Sequence, residues 1–205
     1  MDWIAPAAVF LCTAALAGLG MGGAVRVLTR RAILDYPTQR SSHSTPTPKG
    51  AGLALVPVIL VAWALIGWNP GAWHGGGSDQ GLGWLIAGAV FLAAVSWVDD
   101  LRGLAPWFRL AAQAAAVFLV LAPGPGPFFG TLLPPVVDLF VAAFLWLWFV
   151  NLFNFMDGID GLAGVETGTI GLGVAGTVLL AGLEPTLAFE GLVLAAAGGV
   201  FLFWN

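Results

Sequence analysis

The sequence predicts an all-α fold: a polytopic membrane helix bundle of about seven transmembrane helices, with its N-terminus outside. Three observations lead there. Charge is nearly absent, apolar runs of membrane-crossing length recur, and the basic residues keep to alternate connections. Of 205 residues, 59% are hydrophobic and 9% charged, with a mean hydropathy of +0.93. A soluble domain carries about 25% charged residues, so the composition belongs to a lipid environment. Ten Trp against one Tyr fit anchoring at the membrane interface.

The elements follow in order. The first apolar run, Trp3–Leu28, has no basic residue before it and stays uncharged to Val25. That exceeds a signal-peptide core of about 7–15 residues and suits a retained span. Further runs near the ~20 residues needed for a crossing are Ala51–Trp68, Leu82–Val98, Leu104–Ala122, Leu132–Val150, Thr167–Leu183 and Leu187–Trp204. The fourth carries Arg109 near one end. The fifth carries Asp138 and the Pro134-Pro135 pair near its start, so these two have the least distinct borders. Cys12, the one cysteine, lies inside the first run, excludes an internal disulfide and reads as packing. The whole chain, 1–205, reads as one integral-membrane domain without internal repeats.

Orientation follows from charge. Alternating connections place Thr29–Gly50, Asp99–Gly103 and Asn151–Glu166 on one face. Asn69–Gly81, Pro123–Thr131 and Glu184–Thr186 lie on the other. All 7 basic residues (Arg26, Arg30, Arg31, Arg40, Lys49, Arg102, Arg109) lie on or beside the first face, which the positive-inside rule makes cytoplasmic. So few charges form no basic patch for nucleic acid. His74, on the opposite face, reads as a solvated loop residue.

Three polar constellations share the cytoplasmic face. Asn151–Gly164, NLFNFMDGIDGLAG, sets two Asn, two Asp and three Gly against the end of an apolar run. Carboxylates at the edge of hydrocarbon are costly unless they meet a cation or a hydrogen-bonding ligand. Asn151, Asn154, Asp157 and Asp160 recur every three residues, roughly on one face if helical. Turn chemistry explains one Asp-Gly pair, but two in succession beside two Asn favour function. Asp99-Asp100, in SWVDDLRGL, suits Mg²⁺, a hard cation that takes oxygen ligands and bridges to phosphates. It equally suits a helix-end charge cluster partly paired with Arg102. Asp35–Gly52, DYPTQRSSHSTPTPKGAG, is rich in hydroxyls and holds Arg40, His43 and Lys49. It reads as a cradle for a diphosphate or as an ordinary positive-inside loop.

Taken together, RSSHSTPTPKGAG (Arg40–Gly52), DDLRGL (Asp99–Leu104) and NLFNFMDGIDGLAG (Asn151–Gly164) resemble the polyprenyl-phosphate N-acetylhexosamine-1-phosphate transferase family. That family includes the phospho-N-acetylmuramoyl-pentapeptide transferase of peptidoglycan synthesis and the enzymes that start O-antigen and teichoic acid assembly. The first motif looks closer to the O-antigen branch. The resemblance implies transfer of a sugar-1-phosphate from a UDP-N-acetylhexosamine to undecaprenyl phosphate at the cytoplasmic face of the inner membrane, releasing UMP. It implies Mg²⁺, with Mn²⁺ as the substitute, as the cofactor. By similarity, Asp99, Asp100 and Asp157 are the catalytic candidates, and Asn151, Asn154, Asp157 and Asp99 the metal-site candidates. Asp160 would lie closer to the nucleoside, and Arg40, His43, Thr47 and Lys49 would contact the donor phosphates. A homodimer is compatible with the resemblance.

The family runs on for several more helices, with another metal-binding Asp near Gly and a His-rich loop. On that comparison the chain is expected to be C-terminally truncated. This keeps open an inactive relative or an assembly partner beside the enzyme. A transporter is the weaker alternative, because the acids gather on one face while most span midplanes are bare. CDP-alcohol phosphotransferases expect an Ala-Arg pair soon after Asp-Gly, where this chain has Gly161-Leu162-Ala163-Gly164.

Overall fold

The computed structural model describes residues 4–35, 46–68, 80–123, 126–156, 159–183 and 185–204. Their helices are α1 (Ile4–Arg30), α2 (Gly52–Gly67), α3 (Gln80–Arg102), α4 (Pro106–Leu121), α5 (Pro135–Met156), α6 (Leu162–Ala181) and α7 (Pro185–Trp204). Two short strands, β1 (Leu34–Asp35) and β2 (Thr47–Pro48), pair antiparallel. The all-α expectation holds, and the number of helices among the described residues matches the sequence reading. Among the described residues, five helices have the length and apolarity to cross a membrane, which makes this a multi-pass membrane protein. α2 and α4, at 16 residues each, reach only about 24 Å at 1.5 Å per residue, short of the roughly 30 Å hydrocarbon core.

Burial runs opposite to that of a soluble protein: Leu19, Leu132 and Leu180 are 76%, 83% and 91% exposed. Buried positions go to small residues instead, among them Ala17, Ala116, Ala196 and Ala197. With lipid tails outside, apolar exposure costs nothing, and close backbone packing holds helices together.

The described residues fall into two compact units. The first, Met1–Ser78 with Asp157–Asn205, contains α1, the strand pair, α2, α6 and α7. At one end of this unit Ile66 of α2 packs with Phe189 and Val193 of α7 and with Ala5 and Val9 of α1. There the Trp63 indole N–H donates to the Glu190 carbonyl at 3.2 Å. At the other end Gly20 of α1 meets Ala54 of α2, and Gly22 meets Trp204 of α7. α1 and α7 therefore run parallel, with α2 antiparallel to both. α6 runs back along α7 with glycine against glycine. A Cβ on Gly191 would lie 2.6 Å from the Gly171 carbonyl oxygen, and one on Gly198 would lie 2.7 Å from the Gly168 nitrogen. This is the small-residue seam by which membrane helices approach closely.

The second unit, Asp79–Met156, is the α3–α4–α5 hairpin series. Gly88 of α3 faces Ala116 and Val120 of α4, which fixes that pair as antiparallel. Val117 and Leu121 of α4 pack with Ala143 and Trp146 of α5. Asp138 draws the preceding connection into the first turn of α5: it is 2% exposed, and its oxygens accept the Phe128 and Phe129 amides at 2.8 Å each. The acid that blurred the border of the fifth span thus ties a loop to a helix start, at the end of the unit away from Asp99.

Candidate functional site

The local chemistry of helix ends positions the candidate residues. α1 closes with Ala32 in the left-handed region (φ 55°) and the Ile33 amide donating to the Leu28 carbonyl at 3.0 Å, a Schellman closure. The chain then enters β1, where Leu34 pairs with Pro48 and Asp35 with Thr47, and the Lys49 amide donates to the Ile33 carbonyl at 3.2 Å. Thr47 and Lys49 are thus pinned beside the end of α1 and the start of α2. The sequence reading treats this stretch as loop; a two-residue pair is too short to leave a periodic signal. Arg40 and His43 lie outside the described residues.

Asp160 is exposed, in the turn that leads into α6. Gly161 precedes α6 at φ 77°, with its carbonyl accepting the Val165 amide at 2.9 Å. That conformation suits Gly and strains other residues. α6 begins where α1 ends and α2 begins, so Asp160, Thr47 and Lys49 lie at one end of the first unit. Asp157 lies outside the described residues.

In the second unit, Asp99 and Asp100 are not in a loop. They occupy the last turn of α3, which runs to Arg102 before Gly103 turns at φ 64°. The Asp99 Oδ1 accepts the Leu104 amide at 2.6 Å, and its Oδ2 accepts an Arg109 Nη1 hydrogen bond at 3.3 Å. The ion pair that sequence reasoning sought at Arg102 is therefore made by Arg109, one turn into α4. The two side chains are 21% and 39% exposed, so the pair contributes roughly 0.2–1 kcal/mol to folding. Its main effect is to orient the Asp99 carboxylate.

Asn151 and Asn154 also differ from the expected loop. α5 continues through both to Met156, because no Gly or Pro interrupts the sequence from Val136 to Met156. Both Asn are exposed. Asn151 lies 16 residues beyond Pro135, about 24 Å along the helix axis, which matches the length of α4. α5 starts where α4 finishes and runs back, so Asn151 and Asn154 return to the level of Asp99, Asp100 and Arg109.

Two buried polar atoms escaped the sequence reading. Gln113 of α4 is 7% exposed, and among the described residues its Oε1 has no hydrogen-bond partner; nor has the buried Oε2 of Glu166 in α6. Gln113 sits inside an apolar run and Glu166 in the connection just before one, where sequence gives no clue to their surroundings.

Among the described residues, no three of His, Cys, Asp and Glu converge as a metal cluster. The donors at this end of the second unit are carboxylate and amide oxygens, the type a hard divalent cation takes. By donor chemistry Asp99, Asp100, Asn151 and Asn154 are oxygen donors of the kind that would suit Mg²⁺.

Comparison with known proteins now bears on this arrangement. Residues 82–205 match the model for "Glycosyl transferase family 4", a stretch that includes both the Asp99-Asp100 turn and Asn151–Gly164. The chain belongs to glycosyl transferase family 4. It is similar to decaprenyl-phosphate N-acetylglucosaminephosphotransferases of Mycobacterium leprae and Mycobacterium tuberculosis, 33% identical over 162 residues in each case. The Mycolicibacterium smegmatis protein of the same name is 30% identical over 161 residues. Each alignment covers 74% of this chain and 40% of the relative. The chain therefore aligns with less than half the length of these relatives.

Proposed function

We propose that the chain catalyses transfer of an N-acetylhexosamine-1-phosphate from a UDP-sugar to a polyprenyl phosphate, undecaprenyl phosphate in the reading above, releasing UMP. The observation that carries this is the return of Asn151 and Asn154, along α5, to the level of the Asp99-Asp100 turn, within the segment that matches the family. The relatives' names, with decaprenyl phosphate and N-acetylglucosamine, support the reaction class. A UDP donor, the cytoplasmic face of the inner membrane and O-antigen or other cell-envelope glycan synthesis are the finer parts of the proposal.

Chemically, a phosphate oxygen of the acceptor attacks the sugar-bearing phosphorus of the donor. One phosphoanhydride forms and one breaks, with UMP as the leaving group. The acceptor's second pKa is near ~6, so much of it is dianionic at neutral pH. Positioning and charge neutralisation then contribute more than proton abstraction. A bound Mg²⁺ would supply the neutralising charge between phosphates, held by Asp100, Asn151, Asn154 and Asp157, with Asp99 beside it. Thr47, Lys49, Arg40 and His43 would contact the donor phosphates and Asp160 the nucleoside.

The test is UMP exchange into UDP-N-acetylglucosamine, and transfer to undecaprenyl phosphate, by the 205-residue chain in nanodiscs with Mg²⁺. The expected result is metal-dependent turnover that falls by at least about 10²-fold in Asp157→Asn and Asp100→Asn, the scale of losing a main charge-stabilising group. Full activity in both variants refutes the site. A wild-type chain that binds neither substrate supports the inactive-relative reading.

A further inference from the structure

Asp99 closes α3 in an unusual way. Its backbone carbonyl accepts the Gly103 amide at 2.7 Å while its side chain accepts the Leu104 amide at 2.6 Å. One residue therefore ties down both N–H groups that follow the helix. The remaining oxygen, Oδ2, receives Arg109 Nη1 at 3.3 Å. Arg109 has a rigid mount. Pro106 opens α4, and the Phe108 and Arg109 amides both donate to the Ala105 carbonyl, at 2.9 and 3.3 Å.

The turn's own hydrogen bonds do not involve this guanidinium. Gly103 already supplies the left-handed residue, and the Leu104 amide is satisfied by Oδ1. An ion pair with one partner 39% exposed and the other 21% contributes little to folding. What the guanidinium does fix is the plane of the carboxylate. With Oδ1 held by α3's own turn and Oδ2 held from α4, both oxygens of the Asp99 side chain are restrained. Each oxygen keeps a further lone pair for a ligand. Asp100, the next residue, is exposed at the same helix end.

We propose that Arg109 is a positioning residue for the transfer reaction: from the first turn of α4 it orients the Asp99 carboxylate toward the reacting phosphates. This rests on the transferase reading above. Only one nitrogen makes the contact, so a lysine at position 109 can take over much of the role, whereas a neutral side chain cannot.

The experiment uses the full chain in nanodiscs, with wild type, Arg109→Gln and Arg109→Lys. In Arg109→Gln, kcat should fall on the order of tenfold to a hundredfold, the scale of misplacing a reacting group by about 1 Å. The KM for each substrate should stay within about threefold, and Arg109→Lys should recover most of kcat. An unchanged kcat in Arg109→Gln overturns the proposal. So does a loss confined to the KM of the polyprenyl phosphate, which would make Arg109 a phosphate ligand instead. If Arg109→Gln does not fold, Arg109→Lys decides: near-wild-type kcat supports the role, and a loss beyond tenfold in folded protein overturns it. Hydrogen exchange at the Leu104 amide gives a readout without turnover. It should quicken in Arg109→Gln as the Asp99 carboxylate is released, and unchanged exchange overturns the proposal. A wild-type chain without turnover defeats the transferase reading, while the exchange result still decides whether Arg109 holds Asp99.

Discussion

Replacing Gly171 with Ala tests whether the α6–α7 seam holds the first unit together. A Cβ at Gly171 would collide with the Gly191 carbonyl oxygen and lie 2.6 Å from the Ala195 nitrogen and 3.0 Å from the Leu194 Cβ. Two of these three neighbours are backbone atoms, which cannot rotate aside, so the helices must separate. Overpacking costs about 1–3 kcal/mol, and rigid neighbours put this case at the upper end. Against that, Ala in place of Gly gains about 1 kcal/mol of helix propensity. The net loss is about 2 kcal/mol. At about 2–4 °C per kcal/mol for a chain of this size, the thermal midpoint should drop by about 4–8 °C. Gly173, on the same helix, has nothing within 4 Å of its would-be Cβ. Gly173→Ala should therefore keep the propensity gain, and its midpoint should rise by about 2–4 °C. Thermal ramps in one detergent, followed by tryptophan fluorescence, measure both. Equal midpoints for the two variants would refute the claim that backbone contact along α6 and α7 is what packs them.

Two further substitutions probe buried polar groups in the second unit. Asp138→Asn leaves one of the Phe128 and Phe129 amides facing an NH₂ donor in place of an oxygen, at a cost of about 1–3 kcal/mol. It should lower the midpoint and speed exchange at one of those two amides, and an unchanged midpoint would contradict the tethering role. Gln113→Leu removes an orphaned carbonyl at nearly constant volume. It should stabilise by about 1 kcal/mol, read as a raised midpoint in the same ramps, and a lowered midpoint would mean that Oε1 has a partner in solution.

Much of the fold is legible in sequence because a membrane imposes one strong rule. A run of about 20 apolar residues can satisfy its backbone only as a helix, so each predicted run contains a helix. The borders were less legible. Asn151 and Asn154 read as loop because polar residues end hydropathy runs, yet the helix runs through both to Met156. Asp99 and Asp100 read the same way, although the helix ends at Arg102 with Gly103 as its breaker. The β1–β2 pair left no trace because two residues cannot show an alternation.

By itself the sequence determined the helical class, the membrane setting, the helix order and the three polar motifs, since these follow from composition and from runs of adjacent residues. Only the tertiary structure could choose among chemically equivalent groups. It paired Asp99 with Arg109, although Arg102 lies closer in sequence, because Gly103 and Pro106 turn α4 back alongside α3. It separated Gly171 and Gly191 from glycines such as Gly173, which look the same in sequence, because only the former face a neighbouring backbone. It gave Asp138 to a loop at the far end, where two amides required an acceptor. In each case the deciding quantity is a distance between residues far apart along the chain or on opposite sides of a turn, which hydropathy and spacing do not encode.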